Sequence, residues 1–344
     1  MSLTDLLQIA TNHVGDILAK VFNHVPPATA LLVSDSRSPL AALLAEAYAR
    51  NLPGASHLDF DAAGEAAIHG AFDRLTPGDL VILVQSTSFR LEAFRIRVEL
   101  FKRGLKVIEH PHLDRMRGEE VAWYVDSLAY DPAYYRGVGR ALKARIDAAR
   151  GAVIESGGER LIFATPFEDA KLNVGDYRGM RNAGGQFPIG EVFTEARDLE
   201  AVSGRMRIFV FADVDFQMNR PQRPATLIIE RGRVVGTEDS TPELERVLEN
   251  IRADEGEIWV REVGFGMNRA FDPGRMVRDI GTVERMCGIH VSLGGKHAMY
   301  KKAGFGRSVA RHHVDVFAVM EDVLIDGVSV WRDGAWTVPP APWD

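Results

Sequence analysis

Carboxylate and imidazole side chains recur in the last third of this chain in a combination suited to metal chemistry. Glu262 lies in VREVGFGMN, His290 in GIHVSLGG, His297 shortly after it, and His312-His313-Val314-Asp315 follows. Four of the ten histidines fall between positions 290 and 313. A further carboxylate, Glu191, enters the apolar segment FPIGEVFTEA behind a glycine-rich stretch that reads as flexible. Imidazole nitrogen mixed with carboxylate oxygen suits Zn, Mn, Co or Fe(II). No compact ligand motif is present, so these positions meet only if the fold brings them together. The His313-x-Asp315 pair is the most telling piece. Alternate residues of a strand share a face, and this strand runs on into apolar VFAVM. Burying His and Asp there requires a cation or mutual pairing. His312 should face the other way.

Each residue also has a plainer reading. Glu191 and Glu262 can be water-facing strand residues, and His290 a core histidine. The loop GGKHAMYKK carries His297 and Tyr300 with Lys296, Lys301, Lys302 and, further on, Arg307. It either completes a coordination shell and meets an anionic substrate group or is a solvated turn. Arg178 and Arg181 precede the Glu191 segment, and their forked donors suit a substrate carboxylate. His110-Pro-His112-Leu-Asp114 is a rival metal cluster with one acid. Ser86, Thr87 and Ser88 have no nucleophile-elbow context, which leaves serine hydrolysis unsupported.

The elements that must position these groups divide near residue 150. Over residues 1–150, TALLVSDS, HLDF, DLVILVQS and KVIEH read as strands alternating with helical segments such as LAALLAEAYARN. That rhythm predicts an α/β domain with a parallel sheet, polar strand ends at its rim and no Gly-x-Gly-x-x-Gly turn. Over residues 151–344, ERLIFATP, GRMRIFVFADVDF, ATLIIERGRVVG, EIWVREVGF and HVDVFAVMEDVLIDG predict an α+β catalytic domain rich in antiparallel strands. Its clearest helix is TPELERVLENIRAD, capped by Ser240 or Thr241 with Pro242 in the first turn.

Composition narrows the function classes. The chain has 344 residues, 46% hydrophobic and 26% charged, the profile of a soluble globular protein. A net charge of -7 argues against a dedicated nucleic-acid or anionic-membrane surface. No stretch approaches the roughly 20 apolar residues of a membrane span. The single cysteine, Cys287, excludes an internal disulfide framework and suits a reducing cytoplasm. The first residues, MSLTDLLQIATNHVGDILAKVF, read as an amphipathic helix and not as a secretory signal.

Three segments together resemble the thermophilic leucyl aminopeptidase family, the aminopeptidase T and aminopeptidase S group. GEVFTEA (190–196) is similar to its Gly-Glu-Val-Phe-Thr-Ala-Pro, IHVSLGG (289–295) to its His-x-x-Leu-Gly, and HHVDV (312–316) to its His-x-Asp. The resemblance implies two divalent ions (Zn, Co or Mn) held by Glu191, Glu262, His290, His313 and Asp315, with His297 standing where the family has Tyr. It implies Glu191 or Glu262 as general base, Tyr300 close to the shell, a small-molecule or short-peptide substrate, and a homodimer. A second group of this fold, the 2,5-dihydroxypyridine dioxygenases, shares the His313-x-Asp315 pattern and would imply a single Fe(II). Glu262 stands where that group has His, and it lacks the acid matching Glu191. These two carboxylates favour the hydrolase.

Overall fold

The computed structural model describes residues 2–24, 28–91, 94–213, 217–297, 299–306 and 310–343. Contacts divide the chain into two compact units, each assembled from separate stretches. One comprises Met1–Pro132, Gly175–Ile189 and Pro273–Val277; the other comprises Ala133–Val174, Gly190–Asp272 and Arg278–Asp344.

The first unit is built on a five-stranded parallel sheet flanked by helices. Its order is Gly184–Gln186, Lys106–His110, Leu80–Val84, Ala30–Ser34 and Ser56–Asp59. Every residue of Ala30–Ser34 and Leu80–Val84 is buried, as continuous apolar runs in a helix-covered parallel sheet should be. Helix Pro39–Asn51 follows the Ala30–Ser34 strand; Ser38 accepts from Ala41 N at 3.1 Å and Pro39 occupies the first turn. Gly184–Gln186 is the surprise. It lies in the glycine-rich stretch that reads as flexible, yet it pairs with Val107–Glu109 as an edge strand. An ideal Cβ at Gly184 would sit 1.9 Å from the Val107 carbonyl oxygen, so only glycine permits this approach.

The polar strand ends turn on one another. Asp35 accepts from Ser86 N at 2.8 Å, and Gln85 donates to Glu109 at 3.2 Å. His110, fully buried, lies between two phenols: Nε2 is 2.8 Å from the Tyr48 hydroxyl and Nδ1 is 2.9 Å from that of Tyr124. The Tyr124 hydroxyl donates to the Phe187 carbonyl at 3.1 Å, so it accepts from Nδ1–H, and Nε2 accepts from Tyr48. Burial pulls the His110 pKa down to about 3, which leaves a neutral core histidine.

The second unit contains a large, curled antiparallel sheet of thirteen strands among the described residues. Its spine is Val202–Ala212, which pairs along its length with Glu159–Phe163, Ala225–Glu230 and Val314–Ala318. From there the order continues Val314–Ala318, Gly288–Leu293, Val260–Gly266, Glu191–Glu195 and Lys171–Asn173. Helix Pro242–Glu255 packs into this unit through Leu244, Val247, Leu248 and Ile251; Thr241 is its N-cap and Gly256, at φ 83°, its stop. Among the described residues no helix is long and apolar enough to cross a membrane.

His110→Ala should destabilise the protein by about 1–3 kcal/mol, since Tyr48 loses its buried partner. Uptake of divalent ions should be unchanged. Reduced uptake in a folded variant would return this rival cluster to consideration.

Candidate metal centre

Sheet register explains how residues far apart in sequence come to share one face. Glu191 pairs with Gly266 and Glu195 with Glu262; His290 lies opposite Gly264, and Asp315 opposite Ser292. Directly opposed residues project to the same side, as do alternate residues along a strand. Glu191, Glu195, Glu262, His290 and Asp315 therefore converge above one patch of four strands. Two local departures from regularity make room. Between the pairs Val260–Leu293 and Val263–Val291 the register shifts, which sets Arg261 and Glu262 against the single residue Ser292. Both side chains turn to the same side, and Glu262 N donates to Ser292 Oγ at 3.0 Å. At Gly264 an ideal Cβ would lie 2.0 Å from the His290 ring, so the missing side chain is the space that the imidazole fills.

Glu191, Glu262 and His290 each present a ligand atom within 4.8 Å of the other two. His290 Nε2 is 3.4 Å from Glu191 Oε1 and 3.7 Å from Glu262 Oε1. The other oxygen of Glu262, Oε2, lies 2.9 Å from His297 Nε2. His313 Nε2 is 3.2 Å from Asp315 Oδ1, and its Nδ1 donates to the Lys296 carbonyl at 3.0 Å. Close approach here is not the same as hydrogen bonding. Glu191 Oε1, His290 Nε2, His297 Nε2 and Asp315 Oδ1 are buried and find no aligned partner among the described residues. Buried polar atoms are nearly always partnered, because an unmet one costs about 1–3 kcal/mol. Several orphans facing one another make a donor set that could hold a cation. The residues fit a divalent ion.

Around them lies a ring of fixed charge. Arg285, 8% exposed, contacts Glu191 Oε2 at 3.1 Å and also Glu284, which leaves Glu191 Oε1 free. Arg261, 1% exposed, donates to Glu195 Oε2 at 2.9 Å, and the same oxygen accepts from His297 Nδ1 at 2.8 Å. Burial raises the Glu191 pKa, against the pull of Arg285 and His290. Burial would also raise Glu262 and Asp315, but the surrounding imidazoles outweigh it and hold both below their ordinary values. The same pairing works on the histidines against the effect of burial, lifting His290 to about 9 and His313 to about 10. Glu284 is pushed up to about 8, chiefly by burial.

One loop supplies His297 and leads into His313, and a single carboxylate ties both its ends. Glu255, the last residue of its helix, accepts from Gly295 N through Oε2 and from Arg311 N and His312 N through Oε1, each at 2.6 Å. His312 turns away from His313 to meet Asp254 at 2.7 Å. Tyr300 donates its hydroxyl to the Asp169 carbonyl at 2.7 Å and sets its ring edge-on to His297, so its phenol is directed at backbone. Lys302 binds Glu168 at 2.7 Å, whereas Lys296 and Lys301 are exposed. Arg307 lies outside the described residues. Arg178 and Arg181 are exposed and belong to the other unit, and Arg178 is forked onto Asp176. Glu195, Arg261 and Arg285 were not among the candidates from sequence. Glu195 had a signal in its spacing, four residues beyond Glu191 on an alternating strand.

No protein-family model matches the chain, and no curated protein matches it. Its fold is similar to that of wild-type AmpT from Thermus thermophilus, with a TM-score of 0.59 over 96% of this chain and 99% of that one. The two are 16% identical, so the likeness speaks for the fold. Glu195 and His297, which stand where the resembling motifs have Ala and Tyr, are in contact here.

Gly264→Ala should displace the His290 ring, cost about 1–3 kcal/mol in denaturant unfolding and reduce divalent-ion uptake. A variant with unchanged stability and uptake would contradict this packing. The pKa shifts set a sign for pH. His290, His313, Glu191 and Glu284 are all raised, so the ion-free native state holds protons that the unfolded chain releases. Their histidine contribution to stability is complete below about pH 6.5 and is lost as pH rises through about 9 and 10. Chelator-treated protein should therefore melt at falling temperature across that window. Saturating divalent ion, which displaces those protons, should stabilise most at its upper end. A flat profile in the chelated protein would rule out these ion pairs.

Proposed function

We propose that the chain is a metal-dependent hydrolase that cleaves an amide or peptide bond of a small substrate, with places for two divalent cations. The observation that carries the reading is the double engagement of Glu262. Its Oε1 lies 3.7 Å from His290 Nε2 while its Oε2 lies 2.9 Å from His297 Nε2, and both imidazole Nε2 atoms lack an aligned partner among the described residues. A carboxylate so placed suits a bridge between two ions. His290 would complete one place, with Glu191 Oε1 beside it and uncommitted; His297, with His313 and Asp315 beyond it, would complete the other. The likeness of fold to AmpT supports the same class.

Bound divalent ions would acidify water and polarise a carbonyl oxygen. The protein's own share is proton handling and orientation. Glu262, held ionised by imidazoles, suits the ligand role. Glu191 has a raised pKa and one free oxygen, which suits it to take the proton of the attacking water and return it to the leaving amine. Arg285 keeps that oxygen aimed by holding the other. The ions would be Zn, Co or Mn, the working form a homodimer and the setting the cytoplasm.

The test pairs elemental analysis with a screen of aminoacyl amides and dihydroxypyridines. Two Zn, Mn or Co ions per chain with amide hydrolysis are expected. One oxygen-sensitive iron with ring cleavage would replace the reading by the dioxygenase, and the absence of bound metal after careful purification would overturn it. Glu191→Gln should lower hydrolysis by about 10²–10⁴-fold with the fold retained. Full activity would remove Glu191 from the proton path.

A further inference from the structure

His297 is held in a way that a core histidine has no need of. Its side chain is 4% exposed. Nδ1 lies 2.8 Å from Glu195 Oε2, an acceptor-only atom when ionised, so Nδ1 carries a hydrogen, and in the neutral imidazole that a cation requires the lone pair is on Nε2. That Nε2 has no aligned partner among the described residues although Glu262 Oε2 is 2.9 Å away. Glu195 is itself immobilised. It is 0% exposed, receives Arg261 Nη2 at 2.9 Å and has Lys302 Nζ 3.7 Å from its second oxygen. Arg261 in turn donates to the carbonyls of Gly295 and Tyr300 and lays its guanidinium 4.2 Å from the centre of the Phe305 ring. Burying a carboxylate and a guanidinium is costly, and the pair adds no apolar packing that aliphatic side chains would not supply. What it does supply is a fixed tautomer and direction for one imidazole.

We propose that Glu195, braced by Arg261, is a positioning residue for a divalent cation that it never touches. It presents His297 Nε2 beside Glu262 Oε2, so the affinity of that cation place depends on Glu195 as well as on the ligands. Hydrogen-bonded partners of this kind hold a ligating histidine in orientation and raise its basicity. The inference rests on the reading of His297 as a ligand.

The experiment titrates chelator-stripped, full-length protein with Co²⁺, following visible absorption and bound cobalt, for the unmodified chain, H297A, E195A and E195Q. H297A should weaken one equivalent of Co²⁺ and alter its spectrum. E195A should weaken the same equivalent by about 10–100-fold and leave the other unchanged. E195Q, which keeps an oxygen to accept from Nδ1–H, should fall between E195A and the unmodified chain. Should E195A fail to fold by circular dichroism, E195Q must still show weakened binding and a shifted spectrum. Normal affinity and spectrum in E195Q, with H297A weakened, would overturn the role of Glu195 and leave the ligand reading intact. No Co²⁺ bound by the unmodified chain, or unaltered binding by H297A, would overturn both.

Discussion

Four carboxylates, Glu191, Glu195, Glu262 and Asp315, are buried on one side of one sheet, and this concentration of charge out of water dominates the molecule's chemistry. An ion moved from water into protein loses several kcal/mol of solvation unless charge and hydrogen bonds replace it. Two buried arginines of this unit, Arg261 and Arg285, are assigned one each to Glu195 and Glu191. Among the described residues Glu262 and Asp315 have no such fixed partner and face imidazoles instead. Their balance is therefore adjustable: it comes from protons on histidine or from a cation, and the two compete. That competition connects the fold to its proposed chemistry. A site that would exchange protons for metal would have its acid–base behaviour built in before any substrate arrives.

Much of this arrangement was legible in the residues. The continuous apolar runs of the first sheet and the helical segments between them announce a parallel architecture, and the Thr241–Pro242 start of the long helix is where capping chemistry places it. His313 stands one residue before the Val314–Ala318 strand, and its Nε2 comes 3.2 Å from Asp315 Oδ1. The convergence of Glu191, Glu262 and His290 was readable only through motif resemblance, because cross-strand register has no local signature.

The misses have specific causes. Adjacent residues of a regular strand face opposite ways, so Arg261 beside Glu262 looks like an outward-pointing partner of an inward acid. The register shift opposite Ser292 cancels that alternation and buries both. Glu195 matters because it pairs with Glu262 and receives His297, two relations separated by long stretches of sequence. Gly184–Gln186 has neither the β-branched nor the aromatic residues of a typical strand and owes its pairing to backbone that can approach the neighbouring strand closely. Tyr300 is near the predicted shell, but its hydroxyl is claimed by the Asp169 carbonyl.

The knot made by Glu255 fixes both ends of the loop from outside it. Because one carboxylate joins Gly295 to Arg311 and His312, the span between them closes at its base, independent of the length of its tip. Chain closure entropy grows slowly, by roughly 0.6 kcal/mol per doubling of length. The stretches that carry His297 and His313 are thus set from the end of the Pro242–Glu255 helix, by a carboxylate that stands outside the donor set.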